Sequence, residues 1–138
     1  MTALSGDRNT RRAKHGIRSF LVKGNLLIYE GAIVAIGTDG YARPGRASTT
    51  DIVVGRARAR ADNVGGADGA IRVDVESDEI CFYANSASGD AIAVTDVGKD
   101  FYVVDDQTVA KTDNSGARVR GGKIDSVTTD GVGCRFDQ

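Results

Sequence analysis

The residues able to do chemistry are few. His15 is the single histidine, and Cys81 and Cys134 are the two cysteines. A nucleophile activated by histidine needs that imidazole held rigidly beside it. His15 instead lies in "MTALSGDRNTRRAKHGIRS", a stretch with no apolar period. Two cysteines so far apart in sequence make neither a disulfide framework nor a zinc site. Within "EICFYAN" and "GVGCRF" they read as reduced thiols acting as small core residues. The carboxylates Asp96, Asp100, Asp105, Asp106 and Asp113 could serve as acid–base pairs or calcium ligands. Most fall at expected bends, where aspartate bonds nearby backbone, and that is the reading taken. "NVGGADGAIR" lacks the Lys-Ser/Thr ending of a phosphate loop and the strand-then-helix setting of a dinucleotide fingerprint. Gly65, Gly66 and Gly69 therefore read as a loop between strands. No catalytic, cofactor-binding or metal-binding residue is assigned, and no cofactor is expected.

Two cationic features remain. In "GRARARAD", Arg56, Arg58 and Arg60 alternate with Ala57, Ala59 and Ala61, so on a strand the guanidiniums share one face. Such a row is either solvated or a grip on acidic groups of a partner through the planar guanidinium fork. The second feature is terminal. Residues 1–24 carry Arg8, Arg11, Arg12, Lys14, Arg18 and Lys23 against Asp7 alone, a balance of +5, which leaves −6 for the rest of a chain of net charge −1. Residues 1–19 read as an extended basic arm, either a disordered terminus or one that orders on an acidic neighbour. Arg8, Arg11, Arg12, Lys14, Arg18, Arg56, Arg58 and Arg60 are the candidate partner-binding residues. Nucleic acid is not expected, because the remaining chain is acidic and aromatics are not interleaved with the arginines.

The elements that would position these residues are strands. In "AIRVDVESD", Ile71, Val73 and Val75 alternate with polar residues. "GAIVAIGTDGYARPG" predicts a hairpin turning at Thr38-Asp39-Gly40. "FYVVDDQTVAKT" and "GKIDSVTTDGVGCRF" repeat that logic, bending at Asp105-Asp106-Gln107 and Asp130-Gly131. In the second, Val132, Cys134 and Phe136 share a face. "DIVVGRARAR" and "EICFYAN" read as further strands. The one expected helix is a turn or two within "SGDAIAVTDVGK", capped by Ser88 or Thr95 and stopped by Gly98. Aromatics make up 6% of the chain and tryptophan is absent, so the core must be mainly Val, Ile and Ala. The expected fold is all-β: one small antiparallel β-barrel or sandwich over residues 20–138, preceded by the arm. No apolar run is long enough to span a membrane, and the start does not read as a signal peptide. The expected compartment is a reducing cytoplasm.

The order of these strands resembles the capsid decoration, or structural cement, proteins of tailed bacteriophages. The resembling stretches are "VKGNLLIYEGAIVAIGTDGYARPG" and "VGKDFYVVDDQTVAKTDNSGARVRGGKIDSVTTDGVGCRF", with the Val-Gly-Arg strand between them. The resemblance spans about residues 20–138 and rests on scaffold pattern. It implies a non-enzymatic β-barrel on the outer surface of the virion capsid, made in the host cytoplasm. Its implied partners are the major capsid protein and itself, as a homotrimer or alternatively a dimer, with neither nucleic acid nor membrane. The alternative is a β-barrel ligand- or carbohydrate-binding accessory module on a virion or cell surface. The scarcity of aromatics tilts against that alternative, and a carboxylate-pair hydrolase is a third reading.

Overall fold

The computed structural model describes residues 2–13 and 15–137. It is all-β, with twelve strands: β1 (Ile17–Leu21), β2 (Leu27–Ile28), β3 (Ile33–Ile36), β4 (Ala42–Pro44), β5 (Ile52–Ala57), β6 (Ala61–Asp62), β7 (Arg72–Glu76), β8 (Ile80–Asn85), β9 (Asp100–Val103), β10 (Thr108–Ala110), β11 (Arg120–Thr128) and β12 (Gly131–Phe136). A five-stranded antiparallel sheet runs β1-β7-β5-β3-β4, and β2 pairs with β6. The second half of the chain closes a barrel in the order β10-β8-β12-β11-β9. Its pairings are antiparallel except for the parallel contact of β10 with β8.

The expected hairpins form where turn chemistry places them. Asp39 accepts the Tyr41 N–H at 3.1 Å between β3 and β4, and Asp105 accepts the Gln107 N–H at 2.9 Å between β9 and β10. Both are aspartates folding back on their own backbone, as the bend reading requires. Asp100 departs from that reading, since it lies within β9. The short helical segment is two single 3₁₀ turns, Ser88–Asp90 and Val94–Asp96, and not one helix. Ala87 and Ala93 occupy their cap positions in place of Ser88 and Thr95. At the second turn, the Asp96 carboxylate accepts the Ala93 N–H at 2.8 Å, supplying the missing acceptor from inside the turn.

Two cores share strands β3 and β5. The barrel core holds Tyr83, Phe101, Val103, Val109, Ile124, Val132, Cys134 and Phe136, with Ile33 and Val53 entering from the sheet. Phe136 stands edge-on to both Tyr83 and Phe101, with centroids 6.1 and 5.8 Å apart. The second core is aliphatic throughout its buried members, among them Val34, Val54, Val73 and Val75. Ile33 and Val34 therefore face different cores, as successive strand residues must. Val53 and Val54 do the same.

A bulge in β5 determines where Arg56 points. Val34 lies opposite Gly55 while Ala35 lies opposite Val53, so Val54 is an extra residue on β5. Gly55 takes φ +146, and a Cβ there would stand 2.3 Å from the Glu76 carbonyl oxygen. Only glycine allows β7 to approach so closely. Beyond the bulge, Ala57 points into the aliphatic core and Arg56 points away from it, opposite Glu76.

The boundary drawn after residue 19 falls inside a strand. β1 begins at Ile17 and pairs with β7 from Ile17↔Glu76 to Leu21↔Arg72. The extended segment is accordingly shorter than expected, and Arg18 belongs to the sheet.

Candidate partner-binding surface

The arginine row is only partly a row. β5 ends at Ala57, and the chain bends through Arg58–Arg60 before β6. Ala57 and Ala61 are buried, but Ala59 is exposed, so the alternation in sequence is not kept in space. Arg56 donates from Nη1 to Glu76 Oε1 at 2.9 Å, and Arg58 Nε lies 3.6 Å from Glu76 Oε2. These two guanidiniums share one carboxylate. Arg60 turns elsewhere and lies over the Tyr29 ring, 5.7 Å from its centroid.

Arg18 is half-buried in β1, donates from Nη2 to the Val54 carbonyl at 3.0 Å, and lies 5.3 Å from the Phe20 ring centroid. It is built into the sheet. Arg8, Arg11 and Arg12 are exposed in irregular chain that precedes β1, an edge strand. None of the ion pairs among the described residues involves these three. Lys14 lies outside the described residues. His15 is exposed in the turn before β1.

A feature that sequence reasoning missed adjoins the arginines. Tyr29 and Phe82 are 57% and 49% exposed, too open for core residues. They flank a cleft of about 490 Å³ together with Glu30, Gly31, Asp106 and Gln107. Tyr83 closes its floor by donating its hydroxyl to the Gly31 carbonyl at 2.8 Å, and burial pushes that phenol upward in pKa. Burial, then the neighbouring Asp105 charge, raises the Asp106 carboxyl. A second cleft, lined by Arg56, Glu76, Glu79 and Cys81, shares Gly31, Phe82 and Tyr83 with the first. Arg56, Arg60, Tyr29 and Phe82 thus belong to one continuous surface drawn from β5, β8, the β2–β3 connection and the bend after β5. The signal was present in "EICFYAN". With Cys81 and Tyr83 turned inward, period two turns Phe82 out.

Two carboxylates of the barrel half, Asp100 and Asp90, are held by cations. Asp100 sits 2.7 Å from Lys123 Nζ and 2.8 Å from Arg120 Nε, and these partners hold it below the usual carboxylate range. Asp90 is lowered by its bond from the Thr112 hydroxyl and then by Arg118. Among the described residues, no group of three or more His, Cys, Asp or Glu is placed to hold a metal ion. Among them too, no helix is long and apolar enough to cross a membrane. The cysteines are free: Cys134 is buried and Cys81 half-buried against the same core. Burial raises the Cys81 thiol and pushes that of Cys134 up to about 12.

No known protein family, curated protein or solved structure matches this chain.

Proposed function

We propose that this chain is a non-enzymatic capsid decoration protein that binds the outer surface of a tailed-phage head and stabilises contacts between major capsid protein subunits. The observation that carries this reading is the continuous surface of Tyr29, Phe82, Arg56 and Arg60. Exposed aromatics beside arginines are the composition that dominates binding energy at protein interfaces. The surface stands on a closed barrel and a bulged strand, so it is rigid before a partner arrives, which lowers the entropy lost on docking. The basic segment before β1 supplies a second, extended contact. The resemblance of residues 20–138 to decoration proteins points the same way. Its Gly-Ala-Ile-Val-Ala stretch leads into β3, its Val-Gly-Arg stretch lies in β5, its Tyr-Val-x-Asp hairpin corresponds to β9–β10 and its closing hairpin to β11–β12. A stable interface buries on the order of 1,000 Å² or more. Several neighbours share that area on a shell, where modest affinity per copy suffices because the subunits are already held close.

The same cleft favours one other reading. Aromatic faces beside Glu30, Asp106 and Gln107 offer stacking and hydroxyl acceptors to a sugar, the chemistry of a carbohydrate-binding accessory module. One experiment separates the two. Phe82→Ser and Arg60→Ser, alone and together, are co-sedimented with heads assembled without this chain, beside a thermal melt and an oligosaccharide-binding screen of each. Decoration predicts at least a tenfold loss of head occupancy for the double variant with folding retained, in keeping with hot-spot magnitudes of about 2 kcal/mol or more. Unchanged occupancy refutes this surface as the capsid contact. Binding of the parent to an oligosaccharide, lost in Phe82→Ser, transfers the assignment to the sugar reading.

A further inference from the structure

Cys81 and Cys134 are distant in sequence but directly opposed in the fold. β8 and β12 are antiparallel neighbours, and their register places Cys134 across from Cys81. Opposed residues of an antiparallel pair point to the same side of the sheet. Here that side is the barrel core, in which Cys134 is buried and against which Cys81 packs. Opposed Cα atoms stand about 4.5 or 5.5 Å apart, according to the hydrogen-bonding of the pair. Disulfides span Cα separations of about 4.4–6.8 Å. Closure therefore needs rotation of two side chains and a slight approach of their Cβ atoms, without strand displacement.

We propose that this pair is an oxidative modification site, closing to a cross-strand disulfide between β8 and β12 when the folded protein meets a small disulfide oxidant. Accessibility orders the steps. Cys81 lines the cleft beside Arg56, Glu76 and Phe82, so a small oxidant reaches it, whereas Cys134 is sealed in the core. With a small disulfide RSSR, Cys81 releases its proton and its sulfur attacks one sulfur of RSSR. Cys81–S–S–R forms and RS⁻ leaves, taking up a proton. Cys134 then loses its proton, attacks Cys81 Sγ and expels the second RS⁻, which is protonated in turn. Both cysteine sulfurs are oxidised, two electrons in all, and RSSR is reduced to two RSH. The raised thiols slow both steps at neutral pH, because the thiolate is the nucleophile. Excess reduced thiol keeps the pair open in a cytoplasm, and an oxidising medium closes it.

The bridge would tie the last strand of the barrel to its first, enclosing β9, β10 and β11, and would brace the strand that carries Phe82. The test treats the folded protein with excess oxidised glutathione at pH 8, unfolds it, caps remaining thiols with iodoacetamide and measures intact mass and a peptide map. The expected product accepts no cap, yields one peptide joining Cys81 to Cys134, and melts higher by on the order of 10 °C, reversibly with dithiothreitol. Cys134→Ser should stop at a glutathione adduct on Cys81, and Cys81→Ser should leave Cys134 unmodified. A parent protein that keeps glutathione on Cys81 overturns the proposal, since Cys134 then fails to resolve it. Disulfide-linked dimers overturn it as well. So does capping of both thiols after an exposure that fully oxidises the urea-unfolded chain.

Discussion

Replacing Gly55 with alanine probes the bulge that directs Arg56 outward. The new Cβ would stand 2.3 Å from the Glu76 carbonyl oxygen and 2.9 Å from Val75 Cγ1. The first of these is backbone in a paired strand, so it cannot swing aside as a side-chain tip would. The strained φ of +146 adds about 1–2 kcal/mol for a residue with a Cβ. Forcing β5 and β7 apart costs about 1–3 kcal/mol by the measure of overpacked cores. A loss of about 3 kcal/mol is a fair centre. Unfolding entropy is about 2.1 cal/mol/K per residue, which over 138 residues comes to roughly 290 cal/mol/K. The melting temperature should then fall by about 10 °C. Gly40→Ala is the control. Its φ is +83 and its Cβ would meet nothing within 4 Å, so only the backbone penalty applies. That variant should lose about 3–7 °C. Scanning calorimetry of both variants decides the matter. Equal shifts would refute the argument that contact with β7 constrains Gly55.

Charge gives three further outcomes. Asp39, Asp68, Asp90, Asp96 and Asp100 all lie below the ordinary carboxylate range in the folded state. Between that range and their folded values, the unfolded chain binds more protons, so their stabilisation is complete above about pH 5 and is lost as pH falls from there. Melts from pH 7 to pH 2 should show this descent, and Asp100→Asn should make it shallower; an unchanged slope would refute the role given to its pairs with Lys123 and Arg120. Asp106 is shifted the opposite way, first by burial and then by Asp105, so Asp106→Asn should raise the melting temperature at pH 7 and lose that advantage in acid. Deleting residues 2–13 should reduce the salt dependence of head binding measured by co-sedimentation, because exposed charges are screened beyond about 10 Å at 0.1 M salt; an identical salt slope would remove the segment from the interface.

Strand positions were readable where one face is apolar, as in β7, whose valines alternate with Arg72, Asp74 and Glu76. β1 escaped because its pattern is inverted. Ile17 and Leu21 face out while Arg18 faces inward with Phe20, its guanidinium satisfied by the Val54 carbonyl. Hydropathy alone cannot anticipate a half-buried arginine that finds an acceptor on a strand not adjacent to its own. The end of β5 escaped for a different reason. An Arg-Ala alternation has the period of a strand, but nothing in it reports that the chain bends after Ala57. The apolar run of residues 80–84 in β8 concealed Phe82, since a run without polar residues does not say which side is buried. The Cys81–Cys134 opposition depends on pairing of β8 with β12, and register between strands distant in sequence is set by the assembled sheet.

On the proposed function, the two groups of arginines contribute to binding in different ways. Arg56 and Arg58 already share Glu76 in the free protein. A carboxylate on a partner could engage Arg56 only by exchanging one ion pair for another, leaving Glu76 desolvated and short of a cation, so the net gain is small. Arg60 gives up only an exposed contact with Tyr29, and Phe82 gives up nothing but water. Affinity should therefore centre on Arg60, Tyr29 and Phe82, where the groups are pre-placed and the buried area is apolar. Arg8, Arg11 and Arg12 surrender no ion pair among the described residues on docking. Their limit is conformational, because ordering each residue of an extended segment costs about 1–2 kcal/mol, comparable to what an exposed charge pair returns. The segment is suited to steering the protein toward an acidic shell, which raises the association rate, while the rigid face sets how long it stays.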